Sequence, residues 1–287
     1  MVDKTHLLNS RQMASFAARG FLRFDALIPP ELNQRAMREI DGDVPSAPAG
    51  TPLARCYPPP SVLGEILRSP QIAGIIYSLV GPDPLFDHQY VHVREPHEDA
   101  AQHLHGDSTI DLRMHFDMQL MYFPHDVPLE MGGTLLVPGS HFRRINESDI
   151  GRYQNIVGQI PMVCQAGTIL VLHHGLWHCG RQNKSSQKRY MFKVRLNPTV
   201  RQLRLWNTDD LDGSVGQQHP IFSKETPTDD IQAILSRFEP WFEGGNGRLE
   251  ILNRIKFWRF LTGDDNFDAH YWLTRLENMP EKRVTEP

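Results

Sequence analysis

The chain has 287 residues, 40% of them hydrophobic and 22% charged, which is the composition of a globular protein large enough to bury a substantial core. Its formal net charge of −4 argues against a nucleic-acid partner, which would require a basic face. Three cysteines, Cys56, Cys164 and Cys179, cannot all pair and lack zinc-finger spacing. No signal sequence and no apolar run near the roughly 18 residues of a membrane span are present, so we expect a cytoplasmic protein with no membrane partner.

The first eighty residues predict helices around a short strand. The first helix is capped by Asn9 or Ser10 and ends at Gly20, the second opens at Pro29-Pro30, and the third ends at Gly81-Pro82. The predicted elements are a helix up to residue 19, a strand at 21–24, and helices at 30–40 and 69–80. Six prolines between residues 42 and 60 indicate a surface loop, with a lid over a site as the alternative.

Short alternating segments follow and predict strands. They fall at 85–93, 118–123, 134–137, 160–163, 168–172 and 189–196. Turn signals every eight to twelve residues between such segments favour a sandwich or a barrel. The tail from residue 199 to 287 changes to helical periodicity at 231–238, 248–261 and 267–276. We interpret it as a helical extension packed on the barrel, with a homodimer surface as the alternative.

His105 and Asp107 are the first candidate metal ligands. Alternate residues of a strand point to one face, so both could bind one ion while Gly106 turns away. A third ligand must come from elsewhere in the chain, and His178 lies 71 positions after Asp107. Two imidazoles and a carboxylate with open positions form the facial triad of non-heme iron(II) oxygenases. Zinc hydrolases use similar ligands, so the triad alone does not name the metal.

Three separated motifs make the chain resemble the phytanoyl-CoA dioxygenase family over roughly residues 8 to 198. They are His105-Gly106-Asp107, the GGTLLVPGSH segment from Gly132 to His141, and the block of His178, Asn183 and Arg189. Met131 and Leu104 depart from the family pattern and bear on turn geometry and substrate shape. The resemblance implies a mostly β fold with α-helices. A double-stranded β-helix, the cupin-like jelly roll, would form the core at about 85–198 of an oxygenase domain at 1–198, with N-terminal helices outside it and the helical extension at 199–287.

The same resemblance implies the chemistry. His105, Asp107 and His178 would bind iron(II), and Arg189, eleven positions after His178, would grip a carboxylate of the co-substrate 2-oxoglutarate with two parallel donors. Gln89 is a candidate donor to the same co-substrate, with an ordinary polar residue on a strand as the equal alternative. With O2, such a site hydroxylates an unactivated C–H bond of a small-molecule substrate and releases succinate and CO2. The acidic Asp107 favours hydroxylation over halogenation, because the family's halogenases have a small residue there.

Other interpretations stay open at this stage. A zinc-dependent hydrolase could use the same triad, although it has no need of Arg189, and a non-catalytic binding module could keep the fold. His173 and His174 are expected to support the ligands through hydrogen bonds or packing rather than to bind metal. No basic cluster that would suit the phosphates of an acyl-CoA accompanies the motifs, so a small organic metabolite is the expected substrate class.

Overall fold

The computed structural model describes residues 2–107, 115–142, 156, 158–211, 253 and 256–264. Within these ranges the chain is a mixed α/β structure of helices packed on antiparallel sheets. The helices are α1 (Ser10–Arg19), α2 (Pro30–Asp41), α3 (Leu53–Cys56), α4 (Val62–Arg68) and α5 (Pro70–Val80), and residues 256–262 are also helical. The strands are β1 (Phe21–Phe24), β2 (Leu85–Arg94), β3 (Met118–Phe123), β4 (Thr134–Leu136), β5 (Ile160–Pro161), β6 (Thr168–His173), β7 (His178–Gly180) and β8 (Arg189–Asn197).

The boundaries of α1 follow from its own sequence and confirm the predicted helix. The Asn9 side chain accepts from the Gln12 backbone N–H, and the Gln12 side chain accepts from the Asn9 N–H, which together form a capping box. The helix ends at Gly20, whose φ of 80° suits glycine. A Cβ added there would lie 2.7 Å from His141 Nδ1, so glycine is also needed for close packing against His141.

The segment after α2 is more ordered than the prediction of a loop. Helix α3 lies inside the proline-rich stretch, and the unpredicted helix α4 follows directly. The start of α4 is satisfied partly by Ser61, which accepts from the Gly64 N–H, and partly by the Glu39 carboxylate of α2, which accepts from the first two N–H groups of α4. Since Glu39 lies more than twenty positions away, only the folded chain supplies this cap.

Two antiparallel sheets carry the strands. The larger has the order β1-β6-β3-β8-β2 and the smaller has the order β5-β4-β7. One face of the larger sheet packs against the helices through alternate residues such as Phe192 and Val194. The opposite face contributes Met121 and Met191 to a second apolar cluster, which also holds Leu136 of the smaller sheet. The larger sheet therefore lies between a helical layer and the smaller sheet.

The strand predicted through His105 and Asp107 is wrong. His105 forms only an isolated antiparallel bridge with His178, and Asp107 lies in a bend. The two residues are instead attached to the β6–β7 segment by backbone hydrogen bonds, described below. These bonds bring them to one place without any strand alternation.

The described part of the tail packs on the N-terminal helices. Trp206 donates its indole N–H to Ser10 Oγ at 3.0 Å and stacks on Trp258 with ring centroids 5.8 Å apart. Residues 256–262 are helical and overlap the helix predicted at 248–261, whereas the helices predicted at 231–238 and 267–276 lie outside the described residues. Among the described helices none is both long and apolar enough to cross a bilayer.

Candidate metal centre

His105, Asp107 and His178 lie together at the edge of the smaller sheet. One potential ligand atom from each side chain lies within 4.8 Å of the other two. His105 Nε2 is 3.5 Å from Asp107 Oδ1, and His178 Nε2 is 3.7 Å from Asp107 Oδ2. Two imidazole nitrogens and a carboxylate at this separation can surround one divalent ion. The structure thus brings together the three residues predicted from the motifs.

Backbone hydrogen bonds hold the three residues in place. The His105 N–H donates to the His178 carbonyl at 3.1 Å, and the His178 N–H donates back to the His105 carbonyl at 2.9 Å. The Asp107 N–H donates to the His174 carbonyl at 2.9 Å. His174 therefore holds Asp107 through its main-chain carbonyl, whereas its imidazole Nδ1 accepts from the Asp117 N–H at 2.8 Å.

Each candidate imidazole has its Nδ1 engaged by a carbonyl. His105 Nδ1 lies 2.8 Å from the His103 carbonyl oxygen, and His178 Nδ1 lies 2.9 Å from the Leu176 carbonyl oxygen. A carbonyl only accepts, so both Nδ1 atoms must donate, and in the neutral rings both Nε2 atoms then carry lone pairs. These are the two atoms that face Asp107, so the donor set fits a metal ion.

The charges at the site favour metal binding as well. Burial alone would raise the pKa of Asp107, but neighbouring His178, Lys193 and His105 and a hydrogen bond from Gln119 lower it to about 2. Burial lowers the pKa of His178 to about 4. Near neutral pH the carboxylate is therefore ionised and the His178 imidazole neutral, which are the forms that bind metal.

Arg189 lies in the cavity that both histidines also line. The arginine is 5% exposed, and its Nη1 donates to the Met131 carbonyl. The Gly132 turn permits this contact, because a Cβ at Gly132 would lie 2.0 Å from the Gln182 carbonyl and 3.0 Å from Arg189 Nη1. Burial lowers the pKa of Arg189 to about 10, so the guanidinium stays charged near neutral pH. A buried cation facing a cavity is suited to an anionic ligand.

Gln89 lies on the other face of the larger sheet. It pairs in register with Val194, a residue of the helix-facing core. Its Oε1 accepts from the Tyr57 hydroxyl at 2.5 Å, and its Nε2 donates to the Pro45 carbonyl at 2.8 Å. The structure does not bring Gln89 to the triad. His92, three positions further on, lines the cavity instead, because an odd offset reverses the face of a strand.

Sequence reasoning missed two residues, Gln119 and Lys193, whose side chains contact the Asp107 carboxylate. Gln119 Nε2 donates to Asp107 Oδ2, and Lys193 Nζ lies 3.4 Å from the same oxygen. Lys193 stands four positions after Arg189, which is an even offset on one strand, so the strand period could have placed both on one face. The signal for Gln119 was a single polar residue inside the apolar strand MQLMYF.

Residues 53–191 match the model of the phytanoyl-CoA dioxygenase family, so the chain is similar to this family over just under half of its length. Among curated proteins, the chain is similar to the dioxygenase andF of Emericella variicolor, with 28% identity over 149 residues that cover 47% of this chain and 49% of the relative. The chain thus spans about half the length of that relative.

Solved structures share the fold at low sequence identity. HygX from Streptomyces hygroscopicus with iron bound aligns with a TM-score of 0.54 and 17% identity, over 68% of this chain and 88% of HygX. HygX has also been solved with nickel and 2-oxoglutarate, with a TM-score of 0.54 and 16% identity over 67% and 88% of the two chains. SnoK, an alpha-ketoglutarate-dependent carbocyclase of nogalamycin biosynthesis, aligns with a TM-score of 0.52 and 18% identity over 77% and 94%.

Proposed function

We propose that this protein is an iron(II)- and 2-oxoglutarate-dependent oxygenase. In this proposal it hydroxylates an unactivated C–H bond of a small organic molecule and forms succinate and CO2 from the co-substrate. One observation carries the proposal: His105, His178 and the buried Arg189 line a single cavity, and Asp107 lies between the histidines. A zinc hydrolase would need the three ligands but not a buried cation beside them.

His105, Asp107 and His178 would hold iron(II), which supplies the activation of dioxygen when bound. Three protein ligands leave other coordination positions free for the keto acid and for O2. HygX structures that contain iron, or nickel with 2-oxoglutarate, support this assignment through the shared fold.

The remaining cavity residues have separate tasks in this proposal. Arg189 would bind the far carboxylate of 2-oxoglutarate, and Thr134 lines the same cavity. Met121, Phe123 and Met191 supply apolar wall, which excludes water from the place where a C–H bond is oxidised. The protein's own contribution is thus to fix the co-substrate and to keep the cavity dry.

We further propose that the two sheets form a double-stranded β-helix and that residues 199–287 belong to the same domain as residues 1–198. The cavity lined by strands of both sheets supports the first point, since jelly-roll folds bind ligands between their sheets. The packing of Trp206 and Trp258 near Ser10 supports the second. A tail buried on its own chain is favoured over a tail that serves mainly as a dimer surface.

Anaerobic addition of iron(II) and then 2-oxoglutarate tests the proposal. We expect a weak visible charge-transfer band in the wild-type protein and its loss in Asp107→Ala. Asp25→Ala, which removes a half-exposed carboxylate paired with Arg23, is the matched control and should keep the band. No band in folded, iron-loaded wild-type protein would contradict the proposal, and hydrolysis of an ester or amide by the zinc form would favour a hydrolase.

A further inference from the structure

Gln119 is fully buried on the central strand β3 of the larger sheet. Its Nε2 donates to Asp107 Oδ2, and the assignment of this amide is settled because an ionised carboxylate only accepts. Its Oε1 is buried and has no hydrogen-bond partner among the residues that the structure describes. A buried acceptor without a partner costs free energy, so Gln119 is poorly suited to a purely structural role.

Gln202 shows how this protein satisfies a structural glutamine. Gln202 is 1% exposed, yet its Nε2 donates to the carbonyls of Leu79 at 2.7 Å and Phe116 at 3.0 Å. Its Oε1 accepts from the Phe116 N–H at 3.0 Å. Both ends of this amide are used, so Gln202 ties two backbone segments together. Gln119 uses one end only, and that end contacts a candidate metal ligand.

The two oxygens of Asp107 differ in their surroundings. Oδ2 accepts from Gln119, lies 3.4 Å from Lys193 Nζ and lies 3.7 Å from His178 Nε2. Oδ1 receives no hydrogen bond from any described residue and lies 3.5 Å from His105 Nε2. A carboxylate with one oxygen occupied by protein donors is left with the other oxygen for an ion.

We propose that Gln119 is a positioning residue that holds Asp107 Oδ2, so that Asp107 offers the single oxygen Oδ1 to the metal ion. This inference rests on the proposed metal site. The amide fixes the rotation of the carboxylate before any ion arrives, and one-oxygen ligation leaves more coordination positions for the co-substrate and O2. Lys193 adds charge at the same oxygen, but its positive charge also repels a cation. The neutral Gln119 is therefore the donor that favours metal binding without opposing it.

Mn(II) binding to the metal-free protein, followed by isothermal titration calorimetry, tests this role alongside thermal unfolding. Gln119→Met keeps the side-chain size and removes both polar ends. We expect its Mn(II) dissociation constant to rise about 10- to 100-fold, the usual effect of losing an outer hydrogen-bond partner of a ligand. Its unfolding temperature without metal should not fall, because the unpaired Oε1 is removed as well. Gln119→Asn retains the amide but is one methylene too short, and it should weaken Mn(II) binding similarly.

Gln202→Met is the matched control, with the opposite pattern expected: a lower unfolding temperature and unchanged Mn(II) affinity. The visible spectrum of the Co(II)-loaded protein adds a structural readout, since Asp107 freed by Gln119→Met can bind through both oxygens and change the spectrum. Wild-type affinity and spectrum in both Gln119 variants would overturn the inference while leaving the metal site intact. Failure of the wild-type protein to bind Mn(II) would instead overturn the proposed function.

Discussion

Strand β8 has two faces that differ in almost every physical respect. The helix-facing residues are apolar or aromatic and all at most 8% exposed, namely Tyr190, Phe192, Val194 and Leu196. The alternate residues on the other face are mostly cationic, namely Arg189, Met191, Lys193 and Arg195. Each cation there has an oxygen partner: the Met131 carbonyl for Arg189, Asp107 for Lys193 and Asp117 for Arg195.

The contrast shows how one strand serves both stability and function. The helix-facing side is stabilised by apolar burial, which is non-directional. The cavity-facing side buries charges, which is costly unless each charge is paired. Its cations can be retained only because specific acceptors surround them. Mutations on the helix-facing side should therefore mainly lower stability, and mutations on the cavity-facing side should mainly weaken ligand binding.

Phe192→Ala should have the largest effect on folding. Phe192 is 1% exposed, and its ring lies edge-on to Tyr57 with centroids 6.1 Å apart. Deleting the ring should lower the free energy of unfolding by about 3–5 kcal/mol, measured by urea denaturation. The fraction that remains folded should bind Mn(II) normally. Weaker Mn(II) binding by that folded fraction would contradict the prediction that the helix-facing side affects stability only.

Asp107→Ala should weaken metal binding while the fold is retained. It removes the only carboxylate of the triad, so Mn(II) affinity should fall by more than the roughly 10- to 100-fold expected for loss of an outer partner. Calorimetric titration measures the affinity, and circular dichroism verifies that the fold is retained. Mn(II) binding at wild-type affinity would show that Asp107 is not a ligand.

Arg189→Met and Lys188→Met compare two neighbouring cations for their effect on 2-oxoglutarate binding. A charge-assisted hydrogen-bonded contact is worth about 1.5–3 kcal/mol, so the affinity of the metal-loaded protein for 2-oxoglutarate should fall roughly 10- to 100-fold. Lys188→Met is the control one position earlier, where the lysine is half-exposed and pairs with Glu95. It should leave the affinity unchanged. Equal losses in both variants would indicate a long-range charge effect rather than a carboxylate-binding position.

His92→Leu should have the smallest effect, on the pH dependence of stability. Burial, followed by the charge of Lys193, lowers the pKa of His92 to about 4. A histidine in the unfolded chain has a pKa of about 6.5, so between about pH 6.5 and 4 the unfolded chain binds a proton at this residue that the folded protein does not. Wild-type stability should therefore decline as pH falls through this range.

The leucine variant should show a shallower decline in denaturation experiments across that pH range. Tyr90→Leu removes the ring whose centroid lies 4.7 Å from that of the His92 imidazole but leaves the imidazole in place, and it should keep the wild-type slope. Identical slopes in His92→Leu and wild type would contradict the assigned pKa shift.

The sequence predicted elements whose signals are local. Asn9, Gln12 and Gly20 define the ends of α1 within one segment, and α5 follows Ser69 and begins at Pro70 as predicted. The start of α4 has the local N-cap Ser61, but its first two N–H groups are satisfied by Glu39 on another helix. The contribution of Glu39 depends on tertiary structure and cannot be identified from the sequence around α4.

The residues of the candidate site that could be predicted are those identified by sequence motifs and by the spacing between them. His105, Asp107, His178 and Arg189 were selected by motif and offset. In the structure His105, His178 and Arg189 line one cavity, and Asp107 lies beside the two histidines. Gln89 lies on the opposite face because face depends on the register and period of the strand, which the family spacing did not include. The pairing of Gln119 with Asp107 depends on a bend that places Asp107 against β3, and sequence patterns do not specify such a bend.

A crystal structure of the protein grown without oxygen in Mn(II) and 2-oxoglutarate would test the proposed metal site and the role of Arg189 together. Anomalous scattering locates the ion without assumptions about its ligands. We expect one ion bound by His105 Nε2, His178 Nε2 and a single oxygen of Asp107, with the far carboxylate of 2-oxoglutarate on Arg189. An ion bound elsewhere, or 2-oxoglutarate that does not contact Arg189, would contradict this expectation.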